Sequence, residues 1–156
     1  MTALVIGLLT EQLAVVAVFT LSFMVLRSYT GGYHSDSRVF CYLGSNLVLL
    51  VPVYTQAVFY KTSLAWLLAV LLVSAGIIFL LSPMHSKNRK LDKEEQKHFG
   101  RKARLIAALE LAVLGILWHA GQIPYAYAVY TGICITALFM LVGKAQLWIQ
   151  SHTENG

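Results

Sequence analysis

The chain is predicted to be all-α, a polytopic bundle of four to five membrane-spanning helices forming one domain over residues 1–156. Three observations predict it. Hydrophobic residues make up 58 % of the 156 positions. Charged residues make up only 12 %, about half the roughly 25 % of ordinary soluble domains. The apolar residues also gather into runs, at 3–26, 42–59, 63–81, 105–118 and 124–142, close to the ~20 residues that cross a bilayer.

The first run, Ala3 to Leu26, has no lysine or arginine ahead of Arg27. It therefore lacks the charged leader of a cleaved secretory signal and reads as a retained helix. It carries Glu11 and Gln12; an ionisable group at membrane depth points to function, whereas one near the outer surface is merely hydrated. The polar stretch 27–41 leads to the second run, Tyr42 to Phe59, where Pro52 is expected to kink the helix and open a cleft beside Cys41, or simply to pack. Ser63 to Leu81 forms the third run. Residues 82–104 then place eight lysines and arginines against Asp92, Glu94 and Glu95 and read as a basic loop. Its part from Leu91 to Arg104 also reads as a helix, with acidic residues early and basic residues late, the order that suits the helix dipole. The fourth run, Leu105 to Trp118, is short and spans only with local thinning or a partly buried end at His119 and Ala120. Glu110 lies in it, about a turn and a half past Arg104 and able to pair with that basic end. The fifth, Pro124 to Val142, holds Cys134, read as a small core residue. There is no internal repeat and no low-complexity tract.

Lysine and arginine in short loops stay on the cytoplasmic side. With alternating loops, residues 27–41, 82–104 and 143–156 share one side and carry eleven of the twelve basic residues; only Lys61 lies opposite. This orients the chain as a multi-pass cell-membrane protein with the 27–41 stretch facing the cytoplasm. The basic loop binds anionic lipid headgroups, at about 1 kcal/mol per residue, or docks an acidic partner through Lys87, Arg89, Lys90, Arg101 and Lys102. Nucleic acid is a poor fit, because the charge is one short loop on a membrane protein.

The chemistry lies in the stretch Arg27-Ser-Tyr-Thr-Gly31-Gly32-Tyr33-His34-Ser-Asp-Ser-Arg-Val-Phe-Cys41-Tyr42. Two cysteines support no disulfide framework, and of the two only Cys41 lies near water. A thiol attacks as thiolate, and imidazole is the side chain best placed to take its proton near neutral pH. Gly31 and Gly32 let the backbone turn tightly and aim bare amides at a developing oxyanion. On one continuous helix His34 and Cys41 would be about 10 Å apart along the axis, whereas proton transfer needs roughly 3 Å. The helix must break between them. Ser35, Asp36 and Ser37 are good N-cap residues, which puts His34 on a loop and Cys41 in the first turns of the second span, where the helix dipole favours a thiolate. Asp36 either caps that helix or orients His34 as a third catalytic group. The other histidines are scattered, with no metal-ligand spacing among them, so neither metal nor cofactor is expected.

The pattern Arg-x3-Gly-Gly-Tyr-His-x6-Cys-Tyr resembles the active-site signature of the AgrB family, membrane-embedded cysteine endopeptidases of bacterial quorum sensing. Ser82-Pro83-x4-Asn88-Arg89 resembles a second, weaker family feature, a Pro-x4-Asn stretch after a later span. The resemblance implies that Cys41 is the nucleophile, His34 the base and then the acid, and Arg27 the partner of a substrate carboxylate. The implied substrate is an AgrD-like precursor peptide with an acidic C-terminal portion. It is cut near its C-terminus through a thioester and released as a cyclic autoinducing peptide when a side chain within the fragment closes a ring. A homodimer is also implied. The chain departs from the family at its front, where members carry some tens of residues before the first matching span.

Two other classes are compatible with the residues. One is a small non-enzymatic transporter or channel in which His34 and Cys41 are incidental, a reading that paired broken spans and buried polar groups would favour. The other is the same scaffold acting as a plain hydrolase, with water resolving the acyl-enzyme.

Overall fold

The structure, a computed structural model, describes residues 12–30, 38–82 and 93–153, and over 38–47 and 93–98 it describes the backbone. Five helices and no strand occur among the described residues: α1 (Leu13–Thr30), α2 (Arg38–Lys61), α3 (Leu64–Leu81), α4 (Lys93–His119) and α5 (Ile123–Thr153).

Local sequence explains where several of them stop. Ser82 precedes Pro83, whose ring drives the preceding residue out of the helical region, and Ser82 is extended at φ −82°, ψ 137°. Between α2 and α3 the chain turns on Thr62 and Ser63 alone, and the Ser63 carbonyl accepts the amides of Trp66 and Leu67. At the end of α4, Gly121 adopts φ 73°, its amide bonds to the Trp118 carbonyl, and that of Gln122 bonds to the Leu117 carbonyl. This is the paired bonding of a glycine-terminated helix end, open to glycine because it has no Cβ to clash. Pro124 follows in the first turn of α5, where its missing amide costs nothing.

Two elements differ from the sequence expectation. Within the basic stretch 82–104, the part that already reads as a helix is helical from Lys93, but it does not stop at the next run: 105–118 is the second half of that same 27-residue helix. Hydropathy changes sign near Arg104, but nothing there breaks the backbone: acid-first, base-last order stabilises the polar turns, and buried Gly100 and Ala103 already belong to the packed face. The run 124–142 lies in a 31-residue helix reaching Thr153, because residues 143–153 contain no proline to stop it. The first run, read as 3–26, is described from Gln12 onward.

Three of these helices are long and apolar enough to cross a membrane: α1, α3, and α5 over Ile123–Gln146. The chain is a membrane protein, and its core is organised around α5, which packs against all four other helices and most extensively against α1. Within its apolar window α5 is 67 % buried, against 22 % for α3. So α5 is the central helix, while most of α3 is left to face hydrocarbon. One core cluster joins Leu26 of α1, Leu71 and Ile78 of α3, Ala107 of α4, and Val129, Ile133, Ala137 and Met140 of α5. A second joins Val15, Phe19 and Phe23 of α1 to Ala128 and Ile135 of α5, with Val48, Leu49 and Val51 of α2 against it.

In lipid, helix association comes from close packing and interhelical hydrogen bonds rather than from expulsion of water. α1 and α5 pack closely at Gly132, where an added Cβ would fall 2.7 Å from Ser22 Oγ and 3.5 Å from the Phe23 amide nitrogen. Gly132→Ala is therefore expected to destabilise the bundle by ~1–3 kcal/mol, the cost of overpacking, measured as the loss of helical signal on heating in detergent. Gly76→Ala is the matched control, since a Cβ there meets nothing within 4 Å. An unchanged midpoint for Gly132→Ala would show that α1 and α5 are not packed this closely.

Candidate functional site

The stretch that holds His34 and Cys41 runs from the last described turn of α1 into the first described turn of α2. α1 ends at Thr30 and α2 begins at Arg38, so Cys41 is the fourth residue of α2. His34, Gly31, Gly32 and Asp36 lie outside the described residues, as do Lys87, Arg89 and Lys90 of the expected docking surface. A cysteine in the first turn of a helix has its thiolate favoured by the dipole, because the unpaired amides of such a turn concentrate positive charge.

The surroundings of that break are set by the other helices. Arg27 stands in the last turn of α1, with its guanidinium 4.6 Å from the Phe139 ring centre on α5 and 5.5 Å from the Phe23 ring. The two rings are themselves 5.9 Å apart. A guanidinium over an aromatic face gains electrostatically from the ring quadrupole and still donates in its own plane. The contact also ties the end of α1 to the second half of α5. On α4, Arg101 and Lys102 are exposed, and the Arg104 Nε–H donates to the Phe79 carbonyl at 3.2 Å. That bond joins the polar start of α4 to the last turn of α3. The end of the bundle that carries Arg27 and the start of α2 therefore also carries Arg101, Lys102, Arg104 and, on α5, Lys144.

Glu110 was expected to pair with the basic end of α4. It instead points across the bundle to α1: Ser22 Oγ–H donates to its Oε2 at 2.9 Å, and the carboxylate is buried. The direction follows from helix geometry, since Glu110 shares its face with the buried Ala103 and Ala107 at spacings of seven and three, while Arg104 is exposed. Sequence reasoning missed Ser22, and only its small polar side chain in an apolar run hinted at it. Cys134 is half-buried, within hydrogen-bonding reach of Ser74 and Tyr130. On α2, buried Pro52 removes the amide that would bond to the Val48 carbonyl. One turn on, Thr55 Oγ1 donates to the Val51 carbonyl and hydrogen-bonds the buried Tyr127 hydroxyl of α5. These bonds satisfy Thr55 of α2 and Tyr127 of α5.

The described cavity lies at the opposite end of the bundle from Cys41. It measures about 270 Å³ and is bounded by the end of α2, the start of α3, the end of α4 and the start of α5. Nothing in the linear pattern of apolar residues indicated it.

The family model Accessory gene regulator B matches residues 1–141, a stretch containing every residue of the motif and all of the described helices up to the middle of α5. The accessory gene regulator protein B of Staphylococcus intermedius is 26 % identical over 121 residues, which cover 78 % of this chain and 62 % of that relative. The chain thus spans less than two thirds of the length of the relative it matches. No solved structure matches.

Proposed function

This chain belongs to the accessory gene regulator B family, and on that premise we propose that it is a membrane-embedded cysteine endopeptidase of a quorum-sensing system. Its substrate is a small AgrD-like precursor peptide, cut near its C-terminus. The observation that carries the reading is the family match across the whole His34–Cys41 motif, supported by the position of Cys41 in the first turn of α2.

The steps follow from the chemistry of the pair. His34 takes the Cys41 thiol proton, and the thiolate adds to the scissile carbonyl, whose oxygen becomes an oxyanion supported by the amides around Gly31 and Gly32. The C–N bond then breaks. His34 returns the proton to the leaving amine, and the N-terminal fragment stays on Cys41 as a thioester. A thiol or hydroxyl within that fragment displaces Cys41 and closes a thiolactone or lactone, for which the thioester's activation suffices provided water is kept away. Arg27 receives a carboxylate of the acidic tail, and Lys87, Arg89, Lys90, Arg101 and Lys102 dock the rest of it. No cofactor takes part.

In this reading α2 and α4 cross the membrane together with α1, α3 and α5, giving the four to five spans of one domain, and two copies form a homodimer. The eleven-to-one distribution of basic residues puts the motif on the cytoplasmic face, where a newly made peptide meets it without crossing the bilayer. Incubating membranes that contain the chain with an AgrD-like peptide, followed by mass spectrometry, tests the activity. A cyclic product with the mass of the N-terminal fragment less one water is expected, whereas the linear acid would assign plain hydrolysis.

Topology is tested separately. Single cysteines at Ser35 and Ser86 in a cysteine-less background are expected to resist a membrane-impermeant maleimide in intact cells and to react after permeabilisation, while one at Thr62 labels from outside. If position 35 labels from outside, the motif faces away from any peptide made in the cytoplasm and the assignment has to be withdrawn.

A further inference from the structure

The cavity at the far end of the bundle is built like the seat of an amphiphile. Its walls are Leu64, Leu67 and Leu71 on α3, Leu114 and Trp118 on α4, and Phe59 on α2. Leu64 is the first residue of α3 and His119 the last of α4, so the cavity begins at the level of the helix ends. From Leu64 it runs inward as far as Leu71, about 10 Å along the helix.

At their other ends α3 and α4 are joined by a hydrogen bond. There the Arg104 guanidinium holds the Phe79 carbonyl. At this end the α4 wall contains Gly115, where an added Cβ would meet nothing within 4 Å. Tyr60 and Trp66 are exposed at the same level, the position of the aromatic belt at a membrane surface. Lys61 closes α2, exposed, two residues past Phe59 and three before Leu64. It is the only lysine or arginine that the charge distribution assigns to this side.

We propose that this cavity is a phospholipid-binding slot, taking one acyl chain between α3 and α4 while Lys61 holds the headgroup phosphate at its mouth. A cation at headgroup depth above an apolar slot reaching into the hydrocarbon matches a ligand with an anionic head and a hydrocarbon tail. Of the three helices apolar enough to cross a membrane, α3 is the one least covered by protein, so a chain enters sideways from the bilayer along an apolar wall. The lipid wedges α3 against α4 at the end where protein contacts leave them apart. The peptidase reading is not required for any of this.

Tryptophan fluorescence tests the proposal directly, because the chain's three tryptophans divide by position. Trp118 lines the slot, while Trp66 and Trp148 are exposed. The full chain with Trp66→Phe and Trp148→Phe is reconstituted into phosphatidylcholine vesicles containing a rising fraction of dibrominated phosphatidylglycerol or of dibrominated phosphatidylcholine. Bromine on a chain in the slot quenches Trp118. The anionic lipid is expected to quench at about fivefold lower mole fraction than the zwitterionic one, the equivalent of the ~1 kcal/mol that one lysine contributes towards an anionic lipid. Lys61→Gln, an exposed change that leaves the fold alone, is expected to bring the two curves together. Gly115→Phe, which fills the slot from its open side, is expected to reduce quenching by both lipids, while a chain retaining only Trp66 reports unchanged contact with bulk lipid. Trp118 quenching that follows the bulk fraction of either brominated lipid, with no response to Lys61→Gln or Gly115→Phe, overturns the proposal.

Discussion

Cys41→Ala and Cys41→Ser are expected to abolish precursor cleavage while the protein still inserts and accumulates. Alanine has no nucleophile at all. Serine keeps the geometry, but its hydroxyl is far less ionised near neutral pH, so a histidine tuned to a thiol cannot generate enough alkoxide. Cys134→Ala supplies the control. Its thiol touches Ser74 and Tyr130 about midway along α5, far in sequence and in the bundle from the start of α2, so cleavage should survive with a stability cost of about 1 kcal/mol, typical of a lost side-chain hydrogen bond. Mass spectrometry of the peptide after incubation with membranes reads all three variants. Cleavage retained by Cys41→Ala would remove the acyl-enzyme and with it the peptidase assignment.

His34→Ala is the second large effect. Loss of a general acid–base group costs about a hundredfold or more in rate, close to 3 kcal/mol of barrier. The same substitution acts on the resting enzyme as well. If His34 accepts the Cys41 proton, its removal lowers the thiolate fraction, and alkylation of Cys41 by iodoacetamide at pH 7 slows in parallel. The two readouts separate a catalytic role from a structural one: a merely distorted active site loses cleavage while Cys41 stays as reactive as before. An unchanged alkylation rate would mean that the histidine and cysteine share a loop by coincidence.

Much of the candidate site was legible before any fold was known, because its information is chemical and local. A histidine, a glycine pair and a cysteine in one polar stretch between apolar runs suggest a reaction type through the requirements of thiol ionisation and oxyanion support. The expectation of a helix break between His34 and Cys41 followed from the 1.5 Å rise per residue; His34 lies outside the described residues, and α2 is described from Arg38. What surrounds the motif was not legible. Arg27 reads as a substrate cation in the linear motif, and nothing in the 111 intervening positions announces that Phe139 lies beneath it. Glu110 was assigned to its near neighbour in sequence, when its face of α4 is the one that meets Ser22.

By itself the sequence determined that this is a helical membrane protein and roughly where its apolar runs lie, and it supplied the candidate residues for the proposed nucleophilic chemistry. Helix ends such as Ser82 before Pro83 and Gly121 after α4 belong to the same class, since they follow from sterics within a few residues. Only the tertiary structure decided that α5 is the centre, that Gly132 packs against Ser22 of α1, and that a slot lies between the ends of α3 and α4. The physical reason is the solvent. In water an inward face is marked by its apolar residues, but α3 and α5 are apolar nearly all the way round, because lipid asks for the same side chains as the core does. Which face turns inward is then settled by small residues, single hydrogen bonds and shape, and those become visible only when the helices are brought together.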